Sequence, residues 1–355
     1  MGARADITVG RLVRSQGVRL PAICLLLALP LLTLAAASCA SEEAAKSAPV
    51  PAASVANGSA KPLFVPTDRA VKLRLLRRAA KPPRILIFGG SRATRIEPAY
   101  FERLTGRTGF NLAFQNGRPE DAWAFVNYSR RIFPETPVQV VWLLHVEAFR
   151  KQGLSPGLVQ EPQLSRWFPP ALIETERKKL PRTPEEVPPG KDLALTTFGA
   201  DGVVLRNRYD LAEARGRPLS RAIDYSIETA LERYETTTAA LYPRSQKYFE
   251  KTMGLLDEMG TTQVVVLMPL HPRLLDAVRD AGWSERRAEV VAWLRSEQKK
   301  HGFRLLDLSE LSRIKGDPFD FYDGFHVKRA NARRLVRTVV TAFPEAFGNE
   351  SGAPD

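Results

Sequence analysis

The chain has 355 residues, 44% hydrophobic and 26% charged, with 23 Gly and 27 Pro, proportions that exclude a disordered, collagen-like or multi-span membrane protein and favour one large core with insertions. Lys and Arg outnumber Asp and Glu 52 to 39, and the net charge of +13 suits a polyanionic partner without choosing among nucleic acid, acidic glycan and anionic lipid. Both cysteines, Cys24 and Cys39, lie near the amino terminus and there are four His, which excludes a downstream disulfide, thiolate zinc site or cysteine nucleophile.

Arg4, Arg11, Arg14 and Arg19 precede LPAICLLLALPLLTLAAAS, an apolar run that ends in small residues, the order of an export signal. Cys39 follows Ala36, Ala37 and Ser38, the place of a lipidated cysteine in a bacterial lipoprotein, although Ala36 stands where the usual lipobox has a branched aliphatic. Residues 1–39 therefore read as a cleaved signal peptide, a lipoprotein signal or, at roughly 20 apolar residues, a retained anchor. All three place the domain outside the cytoplasmic membrane. Residues 40–82 are expected to be a flexible Ala/Pro-rich tether and a basic stretch, DRAVKLRLLRRAAKPPR, that lies on anionic headgroups or forms a solvated helix packing Val71, Leu73, Leu75 and Leu76 on the domain.

The domain itself is expected over 83–345, with a flexible tail at 346–355. Continuous apolar runs predict strands at 84–90, 109–114, 138–146, 263–270 and 303–308. Helical signals fall between them: PEDAWAFVNYSRRIF opened by Pro119, YSIETALERYETTTAAL interrupted at Pro243, SQKYFEKTMGLLDEMG, SERRAEVVAWLRSEQKK and a last helix from about Lys328. This alternation predicts a doubly wound, flavodoxin-like three-layer α/β sandwich with about five parallel strands. A stretch dense in Pro, Arg and Gly at about 150–224 reads as an insertion after the third strand.

In such a sheet, catalytic groups collect beyond the carboxyl ends of the strands. Ser91 follows Gly89 and Gly90 there, where small neighbours free its Oγ; alone, it reads first as a glycine turn whose serine caps a helix. FYDGFHVKRAN puts Asp323 three residues before His326, spacing that lets the carboxylate bond one ring nitrogen while the other faces a nucleophile. Together they form a candidate triad. Arg92 is a candidate anchor for an anionic substrate or a partner for an acid in the loop 145–147. His271 in MPLHP is a weaker candidate for the same crevice or a turn residue, and His301 reads as surface. Tyr322 and Asp320 are expected to shape the triad loop.

These residues resemble the SGNH (GDSL-like) hydrolase family in its envelope-associated branch, over 84–114 and 300–342. FGGSR stands at the family's glycine-aspartate-serine block, with Gly90 for the aspartate, so the resemblance implies Ser91 as nucleophile and its N–H as an oxyanion donor. NLAFQNG is similar to the second block and implies Gly117 as second donor. DGFH matches the aspartate-x-x-histidine, with Asp323 the orienter and His326 the base. The third block departs: where the family has glycine-x-asparagine, this chain has His145, Val146 and Glu147. His145 and Asn116 are candidate substitutes, whereas Glu147 would donate only if desolvation kept it protonated. His145 reads alternatively as a satisfied core histidine.

The resemblance implies an exported serine esterase or O-acyltransferase acting on a small, acetyl-type ester of an acylated small molecule or envelope glycan, with no cofactor and no metal. The alternative is a catalytically inactive envelope binding or assembly factor on the same fold. The membrane is a partner through the lipid or anchor. Nucleic acid is not expected, because the basic residues are dispersed and no phosphate loop accompanies them.

Overall fold

The strands form because whole runs of β-favouring residues are apolar: Ile85–Gly89, Gln139–Leu144 and Val264–Leu267 are buried at every position. The computed structural model describes residue 63 and residues 66–183, 193–236 and 241–348. The expected export signal, Cys39 and most of the expected tether lie outside these residues. In chain order come α1 (Asp68–Arg77), β1 (Ile85–Gly89), α2 (Pro98–Thr105), β2 (Gly109–Ala113), α3 (Pro119–Ile132) and β3 (Gln139–Leu144). The insertion contributes α4 (Pro156–Gln160), α5 (Pro162–Ser165), α6 (Pro170–Arg177), β4 (Thr197–Phe198), β5 (Val204–Arg206) and α7 (Arg208–Ala214). Then follow α8 (Leu219–Thr236), α9 (Pro243–Asp257), β6 (Val264–Leu267), α10 (Pro272–Val278), α11 (Ser284–His301), β7 (Arg304–Asp307) and α12 (Arg329–Ala342).

The main sheet runs β2-β1-β3-β6-β7 with every pairing parallel, the flavodoxin-like order. Side chains alternate between its faces. Leu86, Phe88, Val140, Trp142 and Val265 join the core with α3, α9 and α11, while Ile85, Ile87, Val141, Val264 and Val266 pack under α2 and α12. The chain order reverses between β1 and β3, the switch point where this topology leaves a crevice.

Four features differ from the sequence reading. The domain begins before 83: α1 is a helix that packs Leu73 and Leu76 on the domain as expected, but it also buries Asp68, Arg69 and Lys72, so it is integral and not solvated. The tail is shorter, since Ala346 and Phe347 are buried. The prolines of the insertion start helices, because Pro156, Pro162 and Pro170 each sit in the first turn, where no intrahelical N–H is needed. Pro243 likewise opens α9. Short α2 and α10, of eight and seven residues, were not anticipated because each spans only about two turns of pattern.

Candidate active site

Ser91 begins a 3-10 turn, Ser91–Ala93, directly after β1. A helical turn leaves its first N–H groups without intrahelical acceptors, so the Ser91 N–H is available beside its own hydroxyl. Far along the chain, Asp323 folds back over a tight loop and accepts the N–H groups of Phe325 (2.7 Å) and His326 (2.9 Å). Its two oxygens each lie 2.9 Å from His326 Nδ1, and His326 Nε2 lies 2.9 Å from Ser91 Oγ. The three expected residues meet across 235 positions. Burial opposes charge on Asp323, but the imidazole and the two backbone N–H groups outweigh it and hold the carboxyl below its ordinary value. An ionised Asp323 fixes the proton on Nδ1, which leaves Nε2 as the acceptor for the serine O–H.

The departures at 90 and 145 are spatially linked. A β-carbon on Gly90 would stand 2.9 Å from His145 Nε2, so the ring occupies the space of a side chain at 90. His145 Nδ1 lies 3.0 Å from Glu147 Oε2. Burial pushes the imidazole down to about 4, beyond what Glu147 restores, so the ring is neutral. Glu147 is held well below the carboxylate range: burial opposes its charge, but Arg92 at 3.4 Å, His145 and the Tyr234 hydroxyl prevail. A carboxylate only accepts, so Nδ1 carries the His145 proton and Nε2 presents a lone pair. His145 and Glu147 are thus not oxyanion donors.

Gly117 also changes role. Its N–H donates to Phe114 O at 3.0 Å, closing a turn in which Asn116 takes a positive φ of 51°. A side chain at 117 is excluded because a β-carbon would lie 2.0 Å from Gly89 O. The glycine is required by this close approach, and its N–H is committed to the turn. The Asn116 side chain is exposed, lines the cleft and makes no hydrogen bond among the described residues. Asn116 is therefore the side-chain candidate that remains from the sequence reading. The turn is held from α1, where Asp68 accepts the Gln115 N–H (2.7 Å) and Arg69 donates to Gln115 O (2.8 Å).

Arg92 pairs with Glu147 and lies 4.9 Å from the Phe325 ring centroid, so its charge is used structurally. His271 corrects the substrate-binding expectation: it caps α10 by accepting the Arg273 N–H (3.2 Å), packs edge-on to Phe321, and does not line the cleft. His301 is not plain surface, since it lies 2.6 Å from Asp257 and joins α11 to α9. Tyr322 does shape the site, but through the insertion. Its hydroxyl donates to Asp210 (3.1 Å) and receives Arg95 (3.0 Å), while Arg95 also reaches Asn207 (2.9 Å) and Asp210.

That tether presents Tyr209, which the sequence reading missed. Its ring covers His326 at a centroid distance of 4.4 Å, and its hydroxyl lies 3.3 Å from Nε2. Burial and the nearby Asp323 raise the phenol, so it stays protonated. No local signal in the sequence marks Tyr209, because its placement depends on the Arg95–Asp210 pair.

The triad opens into a cleft of about 1210 Å³, lined by loops after β1, β2 and β3, by the insertion and by α8. Among the described residues, no group of three or more His, Cys, Asp or Glu is arranged to hold a metal, and no helix is long and apolar enough to cross a membrane. The chain matches no protein-family model and no curated protein.

Proposed function

We propose that this protein is an exported serine acyl-ester hydrolase or O-acyltransferase that forms an acyl-enzyme on a small, acetyl-type ester, carried by a cell-envelope glycan. The observation that carries this reading is the unbroken hydrogen-bond chain from Ser91 Oγ through the His326 ring to Asp323. In the reaction, His326 Nε2 takes the Ser91 proton as Oγ attacks the ester carbonyl carbon. The carbonyl oxygen becomes an oxyanion, received by the Ser91 N–H and the Asn116 amide. Collapse breaks the ester bond, and His326 returns the proton to the departing alcohol. Water or a glycan hydroxyl then attacks the acyl-enzyme by the same steps in reverse. The cleft exceeds the roughly 300–1,000 Å³ of small-molecule pockets, which supports an extended substrate.

One observation favours a second reading, a binding or assembly factor on the same fold: Gly117 and His145 do not supply the oxyanion donors that the resemblance implies. Intact-mass detection of a fluorophosphonate adduct separates the two. An adduct on the protein that is absent from Ser91→Ala and slowed in His326→Ala supports the enzyme; a folded protein that forms none is the binding factor.

A further inference from the structure

The 3-10 turn that starts after His145, Val146–Phe149, delivers Arg150 to the cleft wall. Arg150 is only partly buried, and its guanidinium makes no hydrogen bond or ion pair among the described residues. The groups that act on it are unbalanced. Burial, Arg233, Arg118 and Arg92 depress its ionisation, and Glu147 opposes them. Glu147 is already engaged with Arg92, His145 and Tyr234. Arg118 is committed to Gln152, Ser245 and the Arg150 carbonyl, with Glu120 at 3.6 Å. Arg233 stands over the Phe325 ring at 5.8 Å.

Arg92, Arg118, Arg150 and Arg233 all line the cleft, and Arg150 faces it without a carboxylate of its own. Keeping like charges together in a partly desolvated wall is unfavourable unless an anion arrives to neutralise them. A guanidinium fork matches the two oxygens of a carboxylate or phosphate, whereas a neutral sugar offers it only weak acceptors.

We propose that Arg150 is the centre of an anion subsite in the same cleft as Ser91, which receives a carboxylate or phosphate borne by the glycan that donates or accepts the acyl group. The inference rests on the acyl-ester reading for its substrate but on Arg150 and the cleft for its binding. It converts a diffuse net charge into a local specificity: the substrate is an acidic glycan and is held by its anionic group while the ester lies at Ser91.

The test is calorimetric binding of three oligosaccharides of equal length, one of uronic acid, one phosphorylated and one neutral, to the folded protein and to Ser91→Ala. At least one anionic oligomer is expected to bind both proteins alike and the neutral one at least about 10-fold more weakly. Arg150→Gln is expected to lose that preference and Arg150→Lys to keep part of it, while exposed Arg131→Gln leaves it unchanged. Whichever anionic oligomer binds identifies the anion. Equal binding of the neutral oligomer, or an undiminished preference in Arg150→Gln with its melting temperature intact, overturns the subsite. If Arg150→Gln fails to fold, Arg150→Lys decides: a preference unchanged from the parent also overturns it. Fluorophosphonate labelling reads the other proposal separately, since an unlabelled protein that still selects the anionic oligomer through Arg150 has the subsite and not the esterase.

Discussion

Gly90 and His145 fit together: a β-carbon at 90 would lie 2.9 Å from Nε2 of the histidine, closer than such atoms approach. The residues at 90 and 145 are therefore one packing solution. Because Gly90 has φ −83°, alanine there meets no backbone strain and only the ring opposes it. Gly90→Ala is expected to cost about 1–3 kcal/mol alone and much less in a His145→Ala background. A double-mutant cycle by urea denaturation checks this, and a coupling below about 0.5 kcal/mol would refute it.

The lone pair on His145 Nε2 makes a kinetic prediction. His145→Ala is expected to change ester turnover by less than about threefold, whereas loss of a true oxyanion donor costs about 100- to 1,000-fold. Asn116→Gly, chosen because φ 51° strains other residues, is expected to show the larger loss. Initial rates on an acetyl ester for both variants decide it, and a reversed order would reassign the donors. Since burial takes His145 to about 4 against an ordinary 6.5, the ring also ties stability to pH. The unfolded chain binds more protons in that interval, so this contribution is present above pH 6.5 and lost as pH falls through 4.

Asp323 holds the His326 proton on Nδ1 and thereby leaves Nε2 free for Ser91. Asp323→Asn keeps the shape but allows the opposite tautomer, and turnover is expected to drop about 10⁴-fold. Circular dichroism should remain unchanged. A loss below tenfold would mean that Asp323 is not the orienter.

Lys72 is fully buried, with Nζ 3.0 Å from Asn111 Oδ1 and 2.5 Å from Ala113 O. Burial lowers its value from 10.5 to about 7 despite Asp68 nearby. Between those values the unfolded chain holds more protons, so stability rises with pH by up to about 1.4 kcal/mol per unit and is lost as pH falls towards 7. Lys72→Met is expected to flatten this slope. Denaturation at pH 7, 8 and 9 measures it; an unchanged slope would place the proton elsewhere.

Asp210 accepts the Asn207 N–H (2.7 Å), the Tyr322 hydroxyl and Arg95, and so fastens α7 and Tyr209 over the triad. Asp210→Ala is expected to speed hydrogen exchange in residues 204–214 by about 10-fold or more while β1 and β3 remain protected. Uniform acceleration in both regions would instead mean global destabilisation.

The sheet was legible because a strand buried on both faces must be apolar at every position, and Ile85–Gly89, Gln139–Leu144 and Val264–Leu267 came close to that rule. The serine after β1 and the Asp323–His326 spacing were legible because loop geometry over three residues is local. What the sequence could not decide is which partner each polar group takes. Asp68, Arg69 and Lys72 looked like a charged helix surface, yet Asp121, Gln115 and Asn111 bury them and make α1 part of the scaffold. Gly117, His145 and His271 looked like site residues, and hydrogen bonds to Phe114, Glu147 and Arg273 gave them structural work. Tyr209 and Arg150 carried no pattern at all. Apolar periodicity is set by burial, which each residue type reports for itself, whereas a hydrogen bond or an unpaired charge belongs to two or more groups that only tertiary folding brings together.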